Sequence, residues 1–136
     1  SKAEVIIAKE PIDYPKAMKP NLQVILTQQA AEEYAGDTLP GGRIIYDDFF
    51  VTSLPQVDAN IYYLPIVRTA REKVGNEITT NMVALGAVAR VLELENIVKP
   101  ESVKKAILAK VPEKTKQSNS LAFDEGYTLF KNSIHL

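Results

Sequence analysis

The sequence predicts an α/β protein: a three-layer, Rossmann-like domain with a mixed, partly parallel sheet and a helical C-terminal third. Short runs of Val, Ile, Leu and Tyr that resemble strands all lie in the first half of the 136-residue chain. Helix-type spacing of apolar residues dominates from Ile66 onward. A Gly-rich turn between a predicted helix and the next strand completes the strand–helix–strand order that is typical of parallel strands.

Two strands and a helix account for the beginning of the chain. Residues 4–8 (EVIIA) and 22–26 (LQVIL) are predicted strands, and the segment between them has three prolines and is too broken for a long helix. Residues 27–35 are predicted as a helix, because the Thr27 hydroxyl can accept a hydrogen bond from a free amide of its first turn.

A strong turn signal, LPGG at 39–42, leads into a third predicted strand at 43–46. Gly41 and Gly42 are expected to allow close packing there. Residues 60–64 (NIYYL) are the fourth predicted strand, and a short helix is predicted at 67–74, ending at Gly75 as helices commonly do.

The segment 75–92 (GNEITTNMVALGAVARVL) predicts a helix with almost no polar face. Thr79, Thr80 and Asn81 can cap its first turn, and ten of the next eleven residues are apolar or Gly. A surface helix shows a polar stripe, so this helix is expected to be buried on nearly all sides. A plain core helix of an α/β layer and a functional role, as an interface or a cofactor-facing helix start, explain that burial equally well. Gly86 would let a sheet or another chain come close.

Two further helices complete the predicted single domain of residues 1–136. One begins at Pro100, and the last runs from Pro112 or Glu113 to about Lys131. Over 99–116 six lysines face two glutamates. This excess of positive charge is expected to be a solvated helix face, with contacts to ligand phosphates as the alternative.

Composition excludes several classes of function. The chain has no cysteine, so it can form no disulfide, thiolate nucleophile or iron–sulfur cluster alone. Its net charge of −1 gives no general attraction to nucleic acid or anionic lipid. We expect a cytoplasmic location, because no apolar run could span a bilayer and the first residues lack the zones of a signal peptide.

Candidate catalytic residues are few. The single histidine, His135, is the penultimate residue, where disorder is common, and it is expected to be neither a metal ligand nor a base. Asp47 and Asp48 follow the third predicted strand, at the end where α/β ligands bind. A turn or cap role is favoured over a metal site, because no histidine or third acidic residue lies nearby in sequence.

Polar residues at two helix starts are the candidate binding residues. Gln28, beside Thr27, follows a strand in a position suited to hydrogen-bonding a ligand, although a plain exposed helix start is the simpler explanation. Asn81, beside Thr80, could cap its helix and also point its amide into a site. No nucleophile with a base is evident, so a role in catalysis would depend on a cofactor held by another chain.

Five blocks span essentially the whole chain in this order: AEVIIAKEPIDYP, LQVILTQQAAEEY, LPGGRIIYDD, GNEITTNMVALGAVA and VPEKTKQSNSLAFDEGYTL. Together they resemble the gamma subunit of 2-oxoacid:ferredoxin oxidoreductases. The 2-oxoglutarate (ketoglutarate) type is the most similar, with the pyruvate and branched-chain types close behind.

Members normally begin with a Gly-Gly-Gln-Gly loop and its helix, so this chain is expected to be a C-terminal portion. Members often have Pro-Ala-Thr where this chain has Pro65-Ile66-Val67, so a hydroxyl is missing there.

The resemblance implies an enzyme that oxidatively decarboxylates a 2-oxoacid with thiamine diphosphate, passes electrons through iron–sulfur clusters to ferredoxin and transfers the acyl group to coenzyme A. Thiamine-binding and iron–sulfur subunits would hold those cofactors, and this chain, which binds none alone, would pack against them and border the site. The predicted cofactor-binding residues near that junction are Gln28, Asn81, Thr27 and Thr80.

A rival prediction is a free-standing module that binds a nucleotide or coenzyme A. The lysine-rich stretch at 99–116 supports it, and the lack of a Gly-rich phosphate loop counts against it. Under either prediction no contact with nucleic acid or membrane is expected. If a first strand is missing, the unpaired sheet edge would invite self-association.

Overall fold

The computed structural model describes residues 5–8, 20–94, 96–129 and 134–135. These residues form two compact units. The strand unit extends to Leu64 and includes the short strand at 134–135, and the helical unit begins at Pro65. The α/β fold and the helical C-terminal part are confirmed, whereas the single domain over residues 1–136 and its three layers stay predictions.

Within the described residues, five strands form one mixed sheet in the order in which they occur along the chain. Four are parallel and the fifth is antiparallel to the fourth: β1 (Val5–Ala8), β2 (Leu22–Ile25), β3 (Gly42–Asp47), β4 (Ala59–Leu64) and β5 (Ile134–His135). The four predicted strands and the mixed sheet are confirmed. The expected disorder at His135 is wrong, because its backbone pairs with Tyr62. Two residues carry no strand pattern, so β5 depends on the partner strand alone.

The core of the strand unit lies between β2, β3 and the helix that follows β2. This helix, α1 (Gln28–Tyr34), continues as a 3₁₀ turn (Ala35–Asp37). The buried residues of this cluster are Ile25, Ala30, Ala31, Ala35, Ile44, Tyr46 and Val51. Gly42 serves close packing as predicted, since a Cβ there would lie 2.8 Å from the Leu39 carbonyl oxygen. The predicted packing role of Gly41 is wrong, because nothing lies within 4 Å of its Cβ position. Gly41 instead has a φ of +76°, a backbone conformation that favours glycine.

The helical unit begins with α2 (Ile66–Arg68), which widens into a π-helical segment at Thr69–Val74. The sequence predicts an ordinary helix over 67–74, but the Gly75 amide reaches back five residues to the Ala70 carbonyl. Gly75 then takes a φ of +82° and ends the helix, as expected.

Two long helices pack backbone to backbone within the helical unit. They are α3 (Thr80–Leu94) and α5 (Lys116–Thr128), and they meet at Gly86 and Gly126. A Cβ at Gly86 would lie 2.8 Å from the Tyr127 amide nitrogen, and one at Gly126 would overlap the Val83 carbonyl oxygen. Nine of the fifteen α3 residues are buried, which confirms the predicted burial. The close approach that Gly86 permits is to α5 of the same chain.

The remaining helix of this unit is α4 (Pro100–Leu108), which begins where predicted. The predicted start of the last helix at 112 or 113 is a 3₁₀ turn (Glu113–Thr115), from which α5 continues, and the predicted end at Lys131 lies outside the described residues. In the part of the chain that is described, no helix has the length and apolar character needed to cross a membrane.

Candidate functional site

At the carboxyl edge of the parallel strands, the described part of the strand unit has a loop that is held by side-chain hydrogen bonds. At this edge of an α/β sheet, the chain leaves each strand and ligands commonly bind. Here β2 leads into Thr27 and Gln28, and β3 leads into residues 48–53, which we call the edge loop. Several side chains hold that loop in one conformation.

Thr27 caps α1, as the sequence predicts. Its side-chain oxygen accepts a hydrogen bond from the Ala30 amide at 3.2 Å. The backbone carbonyl of Thr27 receives the Ala31 amide at 3.0 Å. This cap fixes the start of the helix and hence the position of Gln28, the next residue.

Gln28 joins α1 to the edge loop through both ends of its amide group. Its Oε1 accepts hydrogen bonds from the amides of Thr52 at 2.8 Å and Ser53 at 3.0 Å. Its Nε2 donates to the Ser53 carbonyl at 2.9 Å and to Glu32 at 3.2 Å. The side chain of Gln28 therefore acts as a clamp on the loop.

Asp47, the last residue of β3, organises the other end of the edge loop. Its buried carboxylate accepts hydrogen bonds from the amides of Phe49 at 3.1 Å and Phe50 at 2.8 Å. Its backbone carbonyl receives the Val51 amide at 3.2 Å. These contacts confirm the predicted turn role of Asp47, which is the way short acidic side chains commonly close turns.

Tyr63 of β4 supports the loop from the neighbouring strand. Its hydroxyl donates to the Val51 carbonyl and lies 3.4 Å from the Asp48 carbonyl oxygen. Burial, and then the negative charges of Asp48 and Asp47, raise the pKa of Tyr63. The phenol therefore stays neutral at physiological pH and keeps its proton to donate.

The edge loop presents two large aromatic side chains to solvent. Phe49 is 47% exposed and Phe50 is 44% exposed, and their rings meet edge to face with centroids 4.9 Å apart. This pair was not among the predicted site residues. Its signal in the sequence is two adjacent phenylalanines that follow Asp47, the last residue of β3, and Asp48.

The start of α3 carries the other two predicted site residues. Asn76, and not Asn81, provides the amide-oxygen cap here, accepting from the Ile78 amide at 3.1 Å. The buried Thr80 donates its hydroxyl proton to the Glu77 carbonyl at 2.6 Å. Asn81 is exposed in the first turn of α3. The predicted capping role of Asn81 is therefore wrong, because the helix is preceded by a 3₁₀ turn (Glu77–Thr79) that carries its own cap.

The four predicted site residues form two pairs of sequence neighbours, and each pair belongs to a different unit. Thr27 and Gln28 adjoin in the strand unit, and Thr80 and Asn81 adjoin in the helical unit. Their predicted contact with a cofactor stays a prediction. Three of the four use their polar side chains in the internal bonds given above.

The lysine-rich segment is a solvated helix face, as the sequence analysis favours. Lys104 pairs with Asp124 at 2.8 Å, and Lys116 pairs with Glu113 at 3.0 Å. Such pairs at a protein surface contribute little to stability. Lys99, Lys105, Lys110 and Lys114 are exposed.

The chemistry of the donor set bears on which groups this chain could hold. Iron–sulfur clusters need cysteine thiolates, and the sequence contains none, so the residues do not fit a cluster. Within the described ranges, no three His, Asp or Glu side chains lie close enough to hold a metal ion. The described residues at the carboxyl edge of the sheet instead present backbone and side-chain amide groups and two aromatic rings.

Comparisons with known proteins converge on one group. The family described as pyruvate ferredoxin/flavodoxin oxidoreductase matches residues 1–129. The 2-oxoglutarate synthase subunit KorC of Methanocaldococcus jannaschii is 44% identical over 133 residues, which is 96% of this chain and 70% of that protein.

Solved structures agree. The gamma subunit of a keto/oxoacid ferredoxin oxidoreductase from Geobacter sulfurreducens is 34% identical with a TM-score of 0.77, and the match covers 84% of this chain and 66% of that one. The 2-oxoglutarate:ferredoxin oxidoreductase of Magnetococcus marinus, solved with 2-oxoglutarate, coenzyme A and succinyl-CoA bound, is 25% identical with a TM-score of 0.62. That match covers 83% of this chain but 20% of the longer one.

Proposed function

This chain belongs to the pyruvate ferredoxin/flavodoxin oxidoreductase family, and we propose that it works as the gamma subunit of a 2-oxoglutarate:ferredoxin oxidoreductase. The observation that carries this proposal is the 44% identity to a 2-oxoglutarate synthase subunit over nearly the whole chain. The alternative of a free-standing nucleotide or coenzyme A module is not favoured, because the relatives are oxidoreductase subunits.

In this proposal the chain shapes the site and other subunits hold the redox groups. When bound in the complex, thiamine diphosphate supplies the decarboxylation chemistry and iron–sulfur clusters carry electrons to ferredoxin. Because this chain has no cysteine, it cannot ligate a cluster alone. Its contribution is a rigid surface at the carboxyl edge of the sheet, and its location is the cytoplasm.

For the four predicted cofactor-binding residues, the structure suggests different roles in the same proposal. Gln28 and Thr27 hold backbone groups of the strand unit, so they would act on a ligand by positioning the edge loop. The Thr80 hydroxyl is buried and bonded to the Glu77 carbonyl. The exposed amide of Asn81 is the best placed of the four to reach coenzyme A or another subunit.

Purification of the tagged chain from its native host tests the assignment. Mass spectrometry should identify thiamine-binding and iron–sulfur subunits among the co-purifying proteins. The purified complex should reduce ferredoxin with 2-oxoglutarate and coenzyme A, and pyruvate should serve less well. Recovery of the chain alone, together with a thermal shift by coenzyme A or a nucleotide, would contradict the proposal.

The Asn81→Ala variant tests the residue assignment within that complex. It should lower turnover of the complex more than it lowers the melting temperature of this subunit. Thr80→Val is the control: the main effect should be on the melting temperature, because the Thr80 hydroxyl bonds internally. The reverse pattern would assign Asn81 a structural role.

A further inference from the structure

We propose that α4 and the turn before it dock on an acidic surface of another subunit of the oxidoreductase. In this proposal the partner places an apolar side chain in a pocket at the turn and carboxylates opposite the lysines along α4. The inference rests on the proposed function and adds the contact surface and the chemistry of the partner.

The turn from α3 to α4 presents apolar side chains that the described residues leave half uncovered. Leu94 and Ile97 are each 50% exposed. Ile97, Val98 and Pro100 form the apolar wall of a pocket of about 400 Å³, which Lys99 also lines. Side chains that fill pockets commonly contribute most of the binding energy of a protein interface.

Backbone hydrogen bonds hold this turn in one conformation. The Asn96 amide donates to the Glu93 carbonyl and the Ile97 amide donates to the Leu92 carbonyl, both at 2.9 Å. Asn96 takes a φ of +58°, in the left-handed region that asparagine tolerates better than most residues. The backbone that carries Ile97 is therefore ordered before a partner binds, which lowers the entropy that association costs.

The helix α4 itself has apolar area left for a contact. All nine of its residues are described, and Pro100 is the one that is fully buried. Its larger apolar side chains are half-buried: Val103, Ile107 and Leu108. An ion pair between Lys104 and Asp124 joins α4 to α5, so the helix presents this area from a fixed position.

Most lysines of the segment 99–116 lack an opposite charge. Of the six, Lys104 pairs with Asp124 and Lys116 pairs with Glu113. The others are exposed and form no ion pair with a carboxylate of a described residue: Lys99, Lys105, Lys110 and Lys114. Glu101 is the one acidic residue of the segment outside these pairs. Four positive charges therefore stand against one negative charge along this segment.

This charge determines the chemistry of the partner. Asp and Glu side chains around an apolar anchor complement both the lysines and the pocket. A second copy of the chain would bring like charges together. Nucleic acid would pair with the lysines but would leave the apolar side chains of the turn without a contact. The relatives are oxidoreductase subunits, so under the proposed function the chain has other subunits to dock on.

The test measures how readily this subunit dissociates from the intact complex on dilution. Ile97→Ser should raise the Kd of the subunit about 30-fold, as expected for the loss of one anchor. Ile78→Ser is the matched control, because Ile78 is 88% exposed in the helical unit and lies outside the proposed surface. It should change the Kd less than about threefold, since single exposed apolar residues are common. Circular dichroism and the melting temperature check that each variant is folded.

A charge variant provides an independent measurement. Lys105→Glu should raise the Kd about 10-fold at low salt and flatten its dependence on ionic strength. Lys73→Glu is the control, because it makes the same change of charge at an exposed lysine outside the proposed surface.

Three other outcomes would overturn the inference. Unchanged Kd values for both variants, in a complex that still reduces ferredoxin with 2-oxoglutarate, would remove the docking surface and leave the proposed function intact. A higher KM for ferredoxin without a change in Kd would assign the surface to the electron carrier instead. Purification of the chain without the other subunits would overturn both proposals.

Discussion

Gly126 of α5 lies directly against the carbonyl group of Val83 in α3, with no space for a Cβ atom between the helices. Gly86 of α3 has the same relation to the backbone of Phe123. Each helix therefore supplies the glycine that the other needs, and the two backbones come into contact. The Glu93 carboxylate binds both Arg90 and the Tyr127 hydroxyl, which adds a polar link between the same helices.

Replacing Gly126 with Ala should destabilise the chain by about 3 kcal/mol or more, because the added methyl group must push two helix backbones apart. The measurement is the free energy of unfolding in urea. Gly36→Ala is the control, since nothing lies within 4 Å of the Cβ position at Gly36. Equal stability of the two variants would show that the helices do not meet at this glycine.

Replacing Gln28 with Ala should release the edge loop with little effect on global stability. The lost hydrogen bonds are partly exposed, so about 1 kcal/mol is expected. Hydrogen exchange at the Thr52 and Ser53 amides should become faster, since both donate to Gln28. Gln29→Ala should leave both amides protected, because the Gln29 side chain donates to Glu33 and the two amides donate to Gln28. Unchanged protection in the Gln28 variant would contradict the clamp.

Replacing Tyr46 with Phe should stabilise the chain by about 1 kcal/mol, because its hydroxyl is buried and has no hydrogen-bond partner among the described residues. Tyr63→Phe is the opposite control, since that hydroxyl donates to Val51. The melting temperature should rise in the first variant and fall in the second. A fall in both would show that the Tyr46 hydroxyl makes a stabilising bond.

The same burial raises the pKa of Tyr46 from 10.0 to about 12. The unfolded chain then loses this proton at lower pH than the folded chain does. Stability should therefore decrease as the pH rises from 10 to about 12. Tyr46→Phe should remove that part of the alkaline decrease.

Acid should weaken the link between α3 and α5. Hydrogen bonds from Tyr127 and then Arg90 lower the pKa of Glu93 below its ordinary 4.5. The stabilisation that ionised Glu93 provides is fully present above its ordinary pKa of 4.5. It is lost as the pH falls through the lower pKa that Glu93 has in the folded state. Melting temperatures measured on the acid side of pH 4.5 should fall more steeply for the wild type than for Glu93→Gln. Parallel curves would exclude Glu93 as a source of acid sensitivity.

Features that depend on neighbouring residues in sequence were predictable. The start of α1 at Thr27 and the helix end at Gly75 follow from local hydrogen bonding and backbone freedom. The turn role of Asp47 follows in the same way, because it binds amides two and three residues ahead.

The candidate site was only half predictable. The position of Gln28 after a strand marked the carboxyl edge correctly, but its partners, Thr52 and Ser53, are 24 and 25 residues away in sequence. No local pattern links residues so far apart. The exposure of Phe49 and Phe50 was hidden for a related reason, since adjacent aromatics after a strand usually indicate core.

The sequence by itself determined the order of β1 to β4 and of the main helices, the cap at Thr27, the turn at Asp47 and the apolar character of α3, because each depends on interactions within a few residues. Only the tertiary structure decided that Gly86 faces α5, that the two residues of β5 pair with β4, and that the Gln28 amide holds the edge loop. These outcomes depend on contacts between segments far apart in the chain. Such contacts form between surfaces that become complementary only when the chain folds. The spacing of residues within a short segment therefore does not predict them.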